Sequence, residues 1–196
     1  DVEAVYKDFR EMVEKESLDL VAVCTAACLP KPHNQSPSPE DRSDSHADLT
    51  VALAEMGVPM LYVEKAMASS MQRADEVLAA VQKSGAVFNT GVLRRFDNRY
   101  EVVRDAVLAG AVGEVKAVVH YAPSSLMHGH IHSIDTVSYL LGDPQIDAVR
   151  GELLPRDQVY SGRHIDADPR ATYQLRFANG IEAWTVPAGY WEFEVF

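Results

Sequence analysis

Strand and helix signals alternate regularly over the first 90 residues, and this order limits the possible folds more than any other feature of the sequence. Short apolar runs of strand length are followed by amphipathic segments that open at capping residues and close at glycine. The expected helices and strands interleave in the order 9–16, 18–24, 45–57, 60–63, 69–85 and 86–90. Such an alternation predicts an α/β fold, in which helices cover a parallel sheet.

The starts and inner faces of these helices follow from residue spacing. Capping residues are expected at Asp8, Ser45 and Ser69, each of which is followed three positions later by an acidic or amide side chain. In the second and third helices apolar residues recur three and four positions apart, which predicts that they face the sheet. These residues are Leu49, Ala52, Leu53 and Met56 in one helix, and Met71, Ala74, Leu78 and Val81 in the other.

The pattern changes after residue 91. Asn98 is expected to cap a helix, a β-branched segment predicts a strand over 114–122, and a further helix is expected over 129–141. Strand segments follow at 146–154, 172–177, 181–186 and 190–196, and the dipeptide Asn179-Gly180 predicts a tight turn between two of them. This succession predicts an α+β domain with a mostly antiparallel open sheet, and it divides the chain into domains at 1–92 and 93–196.

Charge and composition argue against several classes of function. The chain has 18 Lys and Arg against 29 Asp and Glu, and its net charge of −11 repels nucleic acid and anionic membranes. Its most continuous apolar stretch, 20–29, is half of the roughly 20 residues that cross a bilayer. Cys24 and Cys28 lack the spacing of a redox pair, and no N-terminal signal segment is evident. The expected setting is therefore the reducing cytoplasm.

Four segments of the chain, taken in order, resemble a known family. The first combines the strand and turn at 21–26 with the segment led by His46, and the second is Glu64-Lys65. The third is 91–97, and the fourth is His132-Ser133-Ile134-Asp135. Together they resemble the Gfo/Idh/MocA family of NAD(P)-dependent sugar and polyol oxidoreductases.

This resemblance implies a function, a cofactor and a set of site residues. The first domain would be a partial Rossmann-like domain that binds a dinucleotide, and the second a truncated domain for substrate binding and oligomerisation. A hydride would pass between NAD or NADP and a hydroxyl-bearing carbon of a sugar or polyol, and homo-oligomers would form through the C-terminal sheet. The implied catalytic residues are Lys65 and His132, with no metal. The implied cofactor contacts are Thr25, Ala26, His46, Glu64 and Lys65, and the implied substrate contacts are Arg94, Arg95, His128 and Asp135.

The chain departs from the family pattern at three places. It contains no G-x-G-x-x-G turn, the motif that admits a pyrophosphate to a helix N-terminus. Ala66 stands where the family signature has proline, and His128 stands where the family has an Asp four positions before the catalytic His. The expectation is a chain that lacks the N-terminal glycine-rich unit and the C-terminal end, and that binds NAD(H) poorly by itself.

The residues themselves favour two of the implied roles. Lys65 is expected at the carboxyl end of a strand, where open α/β sheets bind ligands and where an ammonium group would stabilise an alkoxide. His128, His132, Asp135 and Tyr139 fall at i, i+4, i+7 and i+11 of the expected helix and form one polar stripe. A histidine in such a stripe can accept a hydroxyl proton near neutral pH, although a polar stripe is also typical of a solvated helix face.

Other interpretations of these residues stay open. His128 and His132 converge at i, i+4 and, with His130 and Asp135 near, would suit zinc or another transition metal in a metal-dependent hydrolase. All three histidines converge only if the segment starts in an extended conformation. A family variant that uses nicotinamide transiently for oxidation, elimination and re-reduction is a further alternative, and a non-catalytic remnant is another. Of the adjacent Arg94 and Arg95, one is expected to hold a substrate oxygen or a cofactor phosphate and the other an acidic partner, without an indication of which.

Overall fold

The computed structural model describes residues 4–25, 44–122, 125–154, 168, 170–190 and 192–196. These residues form two compact units, one ending at Gly91 and the other beginning at Val92. The predicted cofactor residue Ala26 lies outside the described residues. Within the described ranges no helix is long and apolar enough to span a membrane.

The first unit has the α/β arrangement that the alternating signals predict. Val23 pairs with Val63 and Glu64 with Gly91, so neighbouring strands end at a common edge. The strands are β1 (Leu20–Val23), β2 (Met60–Glu64) and β3 (Val87–Gly91), all parallel and paired in that order, and the helices are α1 (Phe9–Lys15), α2 (Ser45–Glu55) and α3 (Met71–Ser84). The buried apolar core of this unit contains Val23, Ala47, Leu53, Ala54, Val58, Leu61, Val63, Val77 and Val81.

The caps of α2 and α3 differ by one residue from the predicted ones. Asp44 and Ser70 are the N-caps, and each side chain accepts a hydrogen bond from the backbone N–H three positions further along. The predictions of Ser45 and Ser69 are therefore wrong, whereas Asp8 caps α1 as predicted. Each wrong position stands beside a second good capping residue, and spacing alone does not decide between such neighbours.

The buried faces of α2 and α3 also differ from the apolar pattern. Among the side chains predicted to face inward, Leu53 and Val81 are buried, whereas Met71 is largely exposed. Polar side chains occupy part of the buried face of α2, because hydrogen bonds inside the unit satisfy them. The Thr50 hydroxyl, for example, donates to the His46 carbonyl at 2.6 Å. The buried residues of α2 are Ser45, His46, Ala47, Thr50, Leu53 and Ala54.

The second unit confirms the predicted α+β class with a mostly antiparallel sheet. Its strands are β4 (Ala117–Ala122), β5 (Ile146–Leu154), β6 (Arg170–Phe177), β7 (Glu182–Pro187) and β8 (Glu192–Val195), and its helices are α4 (Asn98–Leu108) and α5 (Ile131–Leu140). The strands pair in the order β5-β6-β7-β4-β8, and among the described strands of this unit only β4 and β7 pair in parallel. Gly180, with a φ of 86°, supports the predicted tight turn between β6 and β7.

One face of this sheet packs against α5. Val118, His120 and Ala122 alternate along β4 and are buried, whereas Tyr121 lies on the opposite face. The buried apolar core of the second unit contains Val118, Val137, Leu141, Leu175, Phe177 and Ala183. The N-cap of α4 is Asp97, whose carboxylate accepts a hydrogen bond from the Arg99 N–H, so the predicted cap Asn98 is wrong.

The region around α5 begins differently from the helix expected over 129–141. A π-helical turn, Leu126–His130, precedes α5, so His128 lies in that turn and His132 in the first turn of the helix. Tyr139 does not belong to a solvated stripe, because it is only 7% exposed. The guanidinium group of Arg95 lies over its ring, 5.1 Å from the centroid, and this contact covers the part of α5 where solvent was expected.

Candidate active site

The carboxyl ends of the parallel strands bring three predicted cofactor residues to one edge of the first sheet. Thr25 follows the end of β1 by two positions, Glu64 ends β2, and Lys65 comes directly after it. Ligands of open α/β sheets bind at this edge. All three residues are partly exposed, and the peptide bond between Lys65 and Ala66 is cis.

His46, a further predicted cofactor residue, is fully buried behind this edge. Its Nδ1 lies 2.6 Å from the carbonyl oxygen of Ala66 and its Nε2 lies 2.8 Å from the carbonyl oxygen of Thr25. A neutral imidazole can donate to one of these carbonyls, and an imidazolium can donate to both. In either form the ring joins the segment after β1 to the segment after β2.

Asp44 supports the same edge and was missed in the sequence-based prediction. One of its carboxylate oxygens accepts hydrogen bonds from the backbone N–H and the hydroxyl of Ser69, both at 2.7 Å. The other faces the N–H of Ala47 as the cap of α2. A buried carboxylate at a helix N-terminus is stabilised by the helix dipole. The available signal was the tandem Asp44-Ser45, in which either residue can cap a helix.

Arg95, a predicted substrate residue, forms an ion-pair network with two acidic residues of its own unit. Its Nε donates to both carboxylate oxygens of Asp135 at 2.9 and 3.0 Å, and its terminal nitrogens donate to Asp143 at 2.9 and 3.2 Å. These carboxylates raise the pKa of the Arg95 guanidinium. The network joins the 3₁₀ turn after β3, Leu93–Phe96, to α5. Arg95 therefore has acidic partners, and the guanidinium of Arg94 lies 5.9 Å from the ring centroid of Tyr100.

A buried network of polar and aromatic side chains lies between β4 and the start of α5. The His120 ring stacks on the Phe193 ring, with 4.3 Å between centroids, and its Nε2 lies 3.2 Å from the Ser133 hydroxyl. The His130 ring lies edge-on to His120, and its Nδ1 lies 3.4 Å from the Tyr173 hydroxyl. Ser133 directly follows the predicted catalytic His132 on α5, so this network adjoins that histidine along the helix.

Burial determines the charge of this network. It lowers the pKa of His120 to about 4, with smaller contributions from the nearby positive charges of His130 and Arg94. Burial also raises the pKa of the Tyr173 hydroxyl. Both side chains are therefore uncharged near neutral pH. The sequence-based prediction missed both, because the strand over 117–122 has apolar residues on both faces and does not show which face His120 occupies.

The three histidines proposed as zinc ligands have different surroundings. His128 is exposed and His132 is partly buried, whereas His130 is fully buried against Tyr173 and His120. In the part of the chain that the structure describes, no group of three or more His, Cys, Asp or Glu side chains is arranged to hold a metal ion. The described geometry thus gives no support to a metal-dependent hydrolase.

Comparison with known proteins bears directly on the first unit. Residues 1–92 match the family described as "Oxidoreductase family, NAD-binding Rossmann fold". Residues 1–92 thus carry the match to the Gfo/Idh/MocA family that the sequence motifs resemble. This match agrees with the parallel sheet and with the position of Lys65 at its carboxyl edge.

Curated relatives align with most of the length of this chain. Myo-inositol 2-dehydrogenase of Thermotoga maritima is 22% identical over 91% of this chain and 52% of its own. The scyllo-inositol 2-dehydrogenase (NAD(+)) of Bacillus subtilis is 24% identical over 91% of this chain and 51% of its own. The chain therefore spans about half the length of the curated relatives that it matches.

A solved structure shows that the fold is shared across both units. An oxidoreductase from Agrobacterium radiobacter, in complex with NAD+, L-tartaric acid and magnesium, superposes with a TM-score of 0.70. The two sequences are 16% identical, and the match covers 99% of this chain and 57% of the other. At this identity the comparison establishes the fold.

Proposed function

We propose that this protein oxidises a hydroxyl group of a small polyol of the inositol class and passes the hydride to NAD. The observation that carries the proposal is the position of Lys65, directly after the middle strand of the parallel sheet and inside the segment that matches the NAD-binding family. The names of the inositol dehydrogenase relatives support a polyol substrate. The cofactor named for the Bacillus subtilis relative and in the solved complex supports NAD rather than NADP.

The residues at the edge of the first sheet fit the nicotinamide end of such a cofactor. Thr25, Glu64 and Lys65 are partly exposed there, and Ala26 adjoins Thr25 in sequence. His46 lies behind them with both ring nitrogens on backbone carbonyls, so its proposed contribution is to hold the edge in shape. NAD, when bound, supplies the hydride acceptor. Domain 1–92 is accordingly the proposed cofactor domain, and domain 93–196 the proposed substrate domain.

Lys65 and His132 are the proposed catalytic residues. The Lys65 ammonium donates to the substrate oxygen and stabilises the negative charge that develops on it as the hydroxyl proton leaves. The imidazole of His132 accepts the proton of the same hydroxyl, a role that histidine commonly has as a general base.

Substrate hydroxyl groups away from the reacting carbon are assigned to Arg94, His128 and Asp135. A carboxylate has lone pairs for about four hydrogen bonds, so Asp135 can accept from a hydroxyl while it is paired with Arg95. Arg95 then orients Asp135 instead of binding the polyol itself. His128 is exposed in the turn before α5 and therefore accessible to a ligand.

A homo-oligomer through the second sheet is the proposed assembly. Tyr121 and Trp184 lie on the face of this sheet opposite α5, where Tyr121 stacks with Tyr190 at 5.7 Å between centroids. Aromatic side chains of this kind are enriched in protein interfaces. The mass of the protein in sedimentation should exceed that of one chain, and Trp184→Arg should shift it toward the monomer.

The test of the proposed function is reduction of NAD by the intact protein with myo-inositol and scyllo-inositol, followed by absorbance. Lys65→Ala and His132→Ala are each expected to lower kcat by about 10²- to 10⁴-fold with little change in NAD affinity, because both act on the reacting hydroxyl. Lys83→Ala is the matched control, since Lys83 is exposed at the end of α3. Near-normal turnover in either catalytic variant would remove that residue from the mechanism.

A further inference from the structure

We propose that Asp168 is the positioning residue of the histidine turn, defined as Ser125 with the π-helical turn Leu126–His130. The proposal rests on the proposed function, because this turn includes His128 and leads directly into His132 on α5. Asp168 lies 40 residues from His128 along the chain and has no role in the reaction as described above.

The Asp168 carboxylate accepts three hydrogen bonds from the histidine turn. One oxygen accepts from the Ser125 hydroxyl at 2.6 Å and from the His128 N–H at 2.7 Å. The other accepts from the Met127 N–H at 2.7 Å. Hydrogen bonds to an ionised acceptor are shorter and roughly twice as strong as neutral ones.

The histidine turn requires an acceptor from outside the helix at its first N–H groups. The N–H groups of Gly129 and His130 both donate to the Ser125 carbonyl, but the two N–H groups before them precede the first helical hydrogen bond. An N-cap side chain ordinarily accepts from such groups. Ser125 occupies the N-cap position without making that bond, and its hydroxyl donates to Asp168 instead. Asp168 therefore caps this helix from a distant part of the chain.

A second contact from the same region holds the other side of the turn. β6 begins at Arg170, and the hydroxyl of Tyr173 on that strand lies 3.4 Å from Nδ1 of the buried His130. Asp168 thus fixes the backbone of the turn while Tyr173 contacts one of its side chains. The negative charge of Asp168 also faces the helix N-terminus, where the dipole stabilises it.

This anchoring matters for catalysis because the reacting groups tolerate little displacement. A shift of about 1 Å in a positioned group can lower the rate by about 10²-fold. Release of the turn would move His128 directly and change the direction in which α5 presents His132. Asp168 is therefore assigned a positioning role, and it need not touch the substrate.

The test combines hydrogen exchange with steady-state kinetics on the intact protein. In Asp168→Asn one carboxylate oxygen becomes an NH₂ group that faces N–H donors, so the amides of Met127 and His128 should exchange at least about 10-fold faster and kcat should fall by about 10- to 100-fold. Asp168→Glu keeps the charge and should restore part of both. Asp147→Asn is the matched control, since Asp147 is an exposed aspartate of the same unit that pairs with Arg176.

Exchange and activity separate this proposal from the proposed function. If the amides of Met127 and His128 exchange as slowly in Asp168→Asn as in the wild type, Asp168 does not hold the histidine turn, whatever the activity. Faster exchange with an unchanged kcat would overturn the positioning role. A wild-type protein that oxidises no polyol would overturn the proposed function and the positioning role with it, while exchange would still decide the anchor. Should Asp168→Asn not fold, Ser125→Ala removes one of the three bonds and is measured in the same two ways.

Discussion

Single residues of this protein derive their chemistry from burial and from partners far along the chain. Lys65 was predicted at the ligand edge because a local apolar strand directly precedes it. Asp44 and Asp168 were not predicted, because their importance comes from hydrogen bonds to residues 25 and 40 positions away. No local pattern contains such contacts. His120 was likewise not predicted, because its strand has apolar residues on both faces and its partners Ser133 and Phe193 lie far along the chain.

We expect the protein to lose stability in mild acid through His120. Its pKa of about 4 in the folded chain lies below the ordinary 6.5, because burial and the positive charges of His130 and Arg94 oppose the charged form. Between these two pH values the unfolded chain binds a proton that the folded chain does not. The free energy of unfolding therefore falls as the pH drops from 6.5 toward 4, by up to about 1.4 kcal/mol for each pH unit.

Urea unfolding at several pH values measures this dependence. His120→Gln retains an amide that can bond the Ser133 hydroxyl but has no group that titrates in this range. It should therefore show a shallower loss of stability with acid than the wild type, since the other titratable side chains are common to both. Equal slopes in the two proteins would contradict the assignment to His120.

The helices and strands follow from the sequence more closely than their inward faces do. β5 occupies residues 146–154 as predicted, and the turn at Asn179-Gly180 lies where the dipeptide predicts it, because both signals are local. The buried face of α2 was predicted in part: Leu53 is buried as expected and Leu49 packs against the core, whereas His46 is buried by contacts with Ala66 and Thr25, which only the folded sheet brings near. Helix caps were uncertain by one residue wherever two capping residues adjoin.

The close approach of β5 and β6 depends on Gly151. A Cβ atom added at this position would lie 2.5 Å from the backbone carbonyl oxygen of Thr172, and a backbone atom cannot move aside as a side chain can. Gly151→Ala should therefore lower the free energy of unfolding by about 1–3 kcal/mol, the usual cost of overpacking. Gly189→Ala is the control, because the added Cβ has no described atom within 4 Å. Equal melting temperatures for the two variants would refute the predicted clash.

Arg95 joins the 3₁₀ turn after β3 to α5, and its removal should loosen that connection. Arg95→Ala leaves the partly buried Asp135 without its main charged partner, which should lower the free energy of unfolding by about 1 kcal/mol after screening by solvent. Arg95→Lys should recover only part of this, because lysine lacks the planar fork that bonds two carboxylates. Arg99→Ala, which removes an exposed and local pair with Asp97, should leave the melting temperature unchanged. Thermal melts of the three variants test the ranking.

The sequence predicted the three-stranded parallel sheet of the first unit well, but it did not predict the strand order of the five-stranded sheet of the second unit. The order of helices and strands predicted a parallel sheet followed by a mostly antiparallel one, and both are present. The position of β4 between β7 and β8 was not predicted, because pairing between distant strands leaves no local pattern. The sequence likewise could not decide between a proton-accepting and a metal-binding role for the histidines of this unit, because the surroundings of His130 depend on contacts with a distant strand.

Removal of metal ions distinguishes a polyol oxidoreductase from a hydrolase built on His128, His130 and His132. In the structure His130 is buried against Tyr173 while His128 is exposed, and no metal-binding cluster occurs among the described residues. We therefore expect the purified protein to hold far less than one equivalent of zinc, iron or manganese, and a chelator to leave both polyol oxidation and the melting temperature unchanged.

A metal site on these histidines would behave differently, because metal binding would be coupled to folding stability and its loss would lower the melting temperature. Elemental analysis and a melt after chelator treatment measure the two properties together. His128→Ala completes the experiment, since it removes the exposed histidine and leaves the buried pair of His120 and His130 in place. Stoichiometric metal that is lost in this variant, together with a chelator-sensitive melt, would favour the hydrolase over the proposed polyol oxidation even though the fold is that of the oxidoreductase family.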